Sequence, residues 1–140
     1  MSFSNRRTTN RTGGAALRRT LLRVALIAIG VVALLLYPLM LVWPSGWAWT
    51  PAQGEYEQMM IGIYATLGAF LIWASREPEA HVSLIWFTVW SSVVHGGIMA
   101  VQAFADHTER GHLVGDVPAL FIVAVVLALL APRRAQAGTD

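Results

Sequence analysis

Four apolar runs, set apart by short polar segments, give the chain its rhythm: residues 24–42, 56–74, 82–104 and 113–131. At about 1.5 Å per residue, each reaches roughly across the 30 Å hydrocarbon core of a bilayer. The pattern predicts four membrane-spanning helices. Arginines precede the first run as they precede a secretory signal. That run is longer than the usual apolar region of about 7–15 residues, however, and no small-x-small cleavage site follows, so it reads as a retained helix. Pro38 should loosen its outer end, because proline lacks an N–H and its ring clashes with the carbonyl four residues back. Pro44, Ser45 and Gly46 then stop it. Thr50, Pro51 and Gln53 have the order of an N-cap, a first helical residue and a capping-box partner for the second helix, whose first turns would carry Glu55 and Glu57.

Hydrophobic residues make up 56% of the 140 and charged ones 13%, against about 45–50% and about 25% in soluble domains. This excludes an ordinary soluble protein, and a mean hydropathy of +0.55 excludes a disordered one. The chain has no cysteine, which excludes disulfides, thiol nucleophiles, iron–sulfur clusters and thiolate zinc sites. All ten basic residues are arginine. Arg6, Arg7, Arg11, Arg18, Arg19 and Arg23 precede the first helix, Arg76 lies between the second and third, and Arg133 and Arg134 follow the fourth. Arg110 alone stands on the other side, so the positive-inside rule puts both termini in the cytoplasm and the loops around Trp47 and His107 outside. The expected architecture is all-α: an integral inner-membrane protein whose residues 17–132 form a left-handed antiparallel four-helix bundle. A disordered Arg-rich tail is expected at 1–16 and a short cytoplasmic tail at 133–140. Topology accounts for the arginine run, so the lipid bilayer is the expected partner and nucleic acid is not.

Polar side chains inside the spans carry the functional signal, since a charged group at mid-bilayer costs about 2.5–3.5 kcal/mol on insertion scales. At about 100° per residue, Thr88, Ser91, Ser92, Gln102 and Asp106 all fall within about 60° of His95 on the third helix. Trp86, Trp90, Val93, Val101 and Phe104 occupy the opposite, lipid-suited face, and Gly96 on the flank of the stripe lets a neighbouring helix come close. Serine, threonine and glutamine commonly bond one helix to another, which gives Thr88, Ser91 and Ser92 a packing role. On the second helix Glu57, Tyr64, Gly68 and Ser75 share a face, with Gly62 and Gly68 read as packing positions. Glu57, Tyr64, His95, Gln102 and Asp106 are therefore expected to line one interior cavity, reached from the outer side, that binds a small ligand: a quinone, a lipid, a metal ion or a proton alone.

Residues 106–116 concentrate carboxylates and imidazoles. Glu109 and His112 have Glu-x-x-His spacing and Asp106 precedes them by three, so Asp106, Glu109 and His112 form a candidate metal set on one helical face. Gly111 and Gly115, and the lack of a second such pair, favour a solvated loop instead. Asp116 reads as the N-cap of the fourth helix, with Pro118 in its first turn. Trp43, Trp47, Trp49 and Tyr56 suit an aromatic belt at the outer boundary. His95 is the only histidine within a span, which excludes bis-histidine haem ligation inside one chain. It is also the one interior side chain suited to proton exchange near neutral pH. An enzyme reading would make His95 the acid/base and Glu57 its carboxylate partner, acting on a lipophilic substrate.

The strings Glu55-Tyr56-Glu57, Gly62-Ile63-Tyr64-Ala65-Thr66-Leu67-Gly68, Ser83-Leu84-Ile85-Trp86-Phe87 and Gly111-His112-Leu113-Val114-Gly115-Asp116-Val117-Pro118 resemble a family of small bacterial four-span membrane proteins known only as a domain of unknown function. In size and span number the chain is more distantly similar to DoxX-like membrane proteins. The resemblance covers roughly residues 30–132 and implies architecture alone; no activity, cofactor or catalytic residue comes with it. Three functional readings follow from the residues: a ligand-binding membrane protein, a structural or assembly subunit docking a membrane-protein partner or a second copy, and a small membrane enzyme.

Overall fold

The computed structural model describes residues 5–44 and 54–132, which are helical and contain no strand. The helices are α1 (Asn5–Leu34), α2 (Leu36–Val42), α3 (Gly54–Ala74), α4 (Val82–Ala105) and α5 (Asp116–Leu130). Short 3-10 turns, Pro78–His81 and His107–Leu113, join α3 to α4 and α4 to α5. The Thr50-Pro51-Gln53 capping signal, Trp47, Trp49 and the 133–140 tail lie outside the described residues.

α1 and α2 are one apolar run broken by a 59° bend. The break falls at Leu35, one turn ahead of Pro38, where the proline has no N–H to offer the Leu34 carbonyl and its ring pushes that carbonyl aside. The 1–16 segment expected as a disordered tail is helical from Asn5 onward. Once the apolar part of α1 is anchored, each added turn costs far less than nucleating a helix afresh, which carries the helix through poor helix formers such as Thr12, Gly13 and Gly14.

Among the described residues, Pro78–Ala105 and Arg110–Leu130 are long and apolar enough to cross a membrane, and the bent α1–α2 pair makes a third such segment if it is one span. Among the described residues the apolar stretch of α3, Gln58–Ala74, is shorter than these.

The helices pack as two pairs. α1 runs along α3, α4 runs along α5, and α1 also touches α5, whereas the α3 and α4 backbones barely approach each other. Glycine permits the closeness within each pair. A Cβ placed on Gly30 of α1 would sit 2.7 Å from the Gly68 carbonyl oxygen, and one on Gly68 would sit 2.5 Å from the Gly30 carbonyl oxygen. At Gly96 of α4 a Cβ would lie 3.3 Å from the Leu120 Cβ on α5. Gly62, expected to be a packing position, faces open space, with nothing within 4 Å of its missing Cβ.

One end of the bundle is closed by Leu22, Leu26, Leu71, Ile85, Val89 and Leu127, all buried. The same end is stapled by arginines. Arg18 Nη2 donates to the Leu129 and Ala131 carbonyls at 2.8 and 2.7 Å, satisfying acceptors that the C-terminus of α5 leaves open. Arg23 Nη2 donates to the Arg76 carbonyl at 2.9 Å, and Arg19 Nε pairs with Glu79 at 3.0 Å. The arginine-bearing start of α1, the 76–81 turn and the end of α5 thus meet at one pole.

A seam cavity between the helix pairs

Away from the arginine pole, the space between the two helix pairs opens into a cavity of about 360 Å³. Its walls are mostly aliphatic: Ala28, Ile29 and Val32 from α1, Met40 from α2, Ile61 and Leu67 from α3, and Leu120 and Val123 from α5. Five polar residues interrupt them, namely Tyr64 on α3, Thr88, Ser92 and His95 on α4, and Asp116 at the start of α5. The α4 members recur at intervals of four and three, the spacing that keeps side chains on one helical face. Tyr64 and His95 meet edge to face across the seam with ring centroids 5.7 Å apart.

The polar groups differ in what already binds them. The Thr88 hydroxyl donates to the Leu84 carbonyl at 2.9 Å. His112 is 3% exposed, and its Nδ1 stands 3.0 Å from each carboxylate oxygen of Asp116, an N–H to carboxylate contact within the wall. The Tyr64 hydroxyl, the Ser92 hydroxyl and the His95 ring nitrogens form no hydrogen bond with any described residue, although Ser92 is buried and the other two are half-buried. Their gathering on one otherwise aliphatic cavity marks where a ligand would be held.

Of the residues expected to share a cavity, Tyr64 and His95 do so. Gln102 and Asp106 are exposed and do not line it. Gln102 sits on the same face of α4 as His95, but seven residues farther along, past the stretch that lines the cavity. Asp106 follows the end of α4, where the Thr108 N–H and hydroxyl donate to its carboxylate at 2.9 and 2.7 Å. Those bonds hold its carboxyl below the usual carboxylate range. Glu57 lies on the first turns of α3, and its side chain is outside the described set, as is that of Glu109. No group of three His, Asp or Glu gathers at metal-binding distance among the described residues. Within the Asp106, Glu109 and His112 set, Asp106 bonds Thr108 and His112 turns inward to Asp116.

Asp116 is not the N-cap expected of it. Gly115 holds that position and Asp116 is the first helical residue, where a carboxylate is favoured by the helix dipole. The signal that would have revealed its role is its i,i+4 spacing from His112, which the Glu-x-x-His reading of the same loop obscured.

The chain matches a family described as "Family of unknown function (DUF6632)" over residues 16–139. No curated protein and no solved structure matches it.

Proposed function

The chain belongs to the DUF6632 family, whose description assigns no activity, and from that premise we propose that it is a four-span inner-membrane protein that binds a small ligand in the cavity between its helix pairs. One observation carries the reading: Tyr64, Ser92 and His95 bring hydrogen-bonding groups without a hydrogen-bond partner among the described residues to a mostly aliphatic cavity of about 360 Å³, a size within the roughly 300–1,000 Å³ of small-molecule sites. α3, with its apolar stretch Gln58–Ala74, serves as a fourth span in this reading, drawing Glu55 and Glu57 to the interface. The arginine pole faces the cytoplasm and both termini lie there, in keeping with the positive-inside rule.

The topology is testable because the chain has no native cysteine. Cysteine placed at Thr108 is expected to react with a membrane-impermeant maleimide on intact spheroplasts, and cysteine at Ala80 to react only after permeabilisation. Reaction at Ala80 from outside would overturn the orientation.

Ligand binding is tested by extracting the full chain in mild detergent and weighing it by native mass spectrometry. The wild type is expected to carry a small molecule in stoichiometric amount, and Tyr64→Phe with Ser92→Ala is expected to lose most of it. An empty wild type that remains folded would refute the binding reading in favour of a purely structural subunit.

A further inference from the structure

The composition of the cavity wall and the place where it opens narrow the ligand class. Among the lining residues, the exposed ones are Ala28 and Val32 on α1 and Ile122 on α5; the lining residues of α3 and α4 are half-buried or buried. Val32 is 47% exposed and Ile122 62%. The opening is therefore a window between α1 and α5, the two helices that the Arg18 staple draws together at the arginine pole. Val32 lies nine residues beyond Arg23, and Ile122 nine residues before Ala131. Both sit about 14 Å from the arginine pole, near the middle of a core about 30 Å thick. A window at that depth faces acyl chains, not water.

Charge decides the head group. No arginine lines the cavity and the chain has no lysine, so nothing there would neutralise a phosphate or carboxylate. Among the described lining residues the acidic side chain is Asp116, which the His112 N–H engages. The remaining partners are hydroxyls and an imidazole, which suit carbonyl and hydroxyl oxygens. Resting on the ligand-binding reading above, we infer that the cavity takes an uncharged, single-chain amphiphile with an oxygen-bearing head, which enters sideways from the bilayer between α1 and α5 and places its head against Tyr64, Ser92 and His95.

Two photoactivatable probes with the same diazirine-bearing tail, a monoacylglycerol and a lysophosphatidic acid, test both halves of the inference. The full chain is reconstituted in phosphatidylcholine nanodiscs with each probe, irradiated, and mapped by peptide mass spectrometry. The monoacylglycerol is expected to label Met60 or Ile61, inside the cavity on α3, at least five-fold more than the lysophosphatidic acid does. Labelling of Trp90, on the exposed face of α4, should be similar for both. Val32→Trp, which narrows the window, should cut the interior labelling several-fold and leave Trp90 unchanged, and Ser92→Ala with Tyr64→Phe should do the same. Equal interior labelling by both probes, absence of interior labelling, or indifference to Val32→Trp would each overturn the inference. If native mass spectrometry still found a water-soluble small molecule on the chain in that case, ligand binding would stand and the lipid class alone would fall. An empty chain would remove both.

Discussion

Gly68→Val should cost the protein about 3 kcal/mol, at the upper end of overpacking penalties, and should do so without touching the cavity's polar groups. The reason is the identity of the atoms in the way. The first atom a Cβ at Gly68 would meet is the Gly30 carbonyl oxygen at 2.5 Å, followed by Ala33 and Leu34 side-chain atoms at 3.2 Å. A side chain can swing aside, but a helical carbonyl is fixed by its own hydrogen bonds, so α1 and α3 must move apart along their contact. Close backbone approach through small residues is also what holds membrane helices together where water supplies no hydrophobic drive between them. Gly62→Val is the matched control on the same helix, since it carries the same β-branched propensity penalty into open space. Reversible unfolding in mixed micelles, followed by circular dichroism, reads the difference. Equal losses for the two variants would refute the crossing.

His112→Leu is the second large effect. It removes the imidazole N–H from the Asp116 carboxylate beside an apolar cavity and leaves it backbone N–H partners alone, and breaking one side of a buried ion or hydrogen-bonded pair costs about 3–5 kcal/mol. The side chains of His112 and Asp116 are 3% and 13% exposed, so little water is at hand to compensate. The double variant His112→Leu with Asp116→Leu should regain part of the loss, because removing both partners together leaves no buried charge. The same unfolding assay decides it. A single variant within about 0.5 kcal/mol of wild type, the range of an ordinary surface substitution, would show that the pair is not structural.

The sequence makes the helices legible and leaves their arrangement largely hidden. α3, α4 and α5 occupy the apolar runs at 56–74, 82–104 and 113–131, and the break ahead of Pro38 follows from proline's missing N–H. Gly96 against Leu120 is likewise readable from its place beside the polar stripe of α4. A helical wheel states which way a side chain points, but not how far the neighbouring helix runs alongside it. For that reason His95 and Gln102, on one face of α4, have different surroundings, the one lining the cavity and the other exposed. The pairing of Gly30 with Gly68 is illegible for a related reason, since it depends on which helices are neighbours. The loop at 107–113 defeats the wheel differently. It is a 3-10 turn, whose period of three suits the spacing of Asp106, Glu109 and His112, but Asp106 precedes the turn with an extended backbone and His112 is drawn to Asp116 instead.

The arginine staples at one pole also make the molecule a lever. Arg18, Arg19 and Arg23 tie the start of α1 to the end of α5 and to the 76–81 turn, so the two helix pairs are clipped at the cytoplasmic rim of the proposed topology. Away from that clip Tyr64 meets His95 across α3 and α4. A rotation of one pair against the other therefore pivots at the clip, and displacement grows with distance from it: small at Leu22 and Leu127, larger at the Val32 and Ile122 window, largest at the His112 and Asp116 end. Any such travel would widen toward the His112 and Asp116 end, about a fulcrum made of arginine.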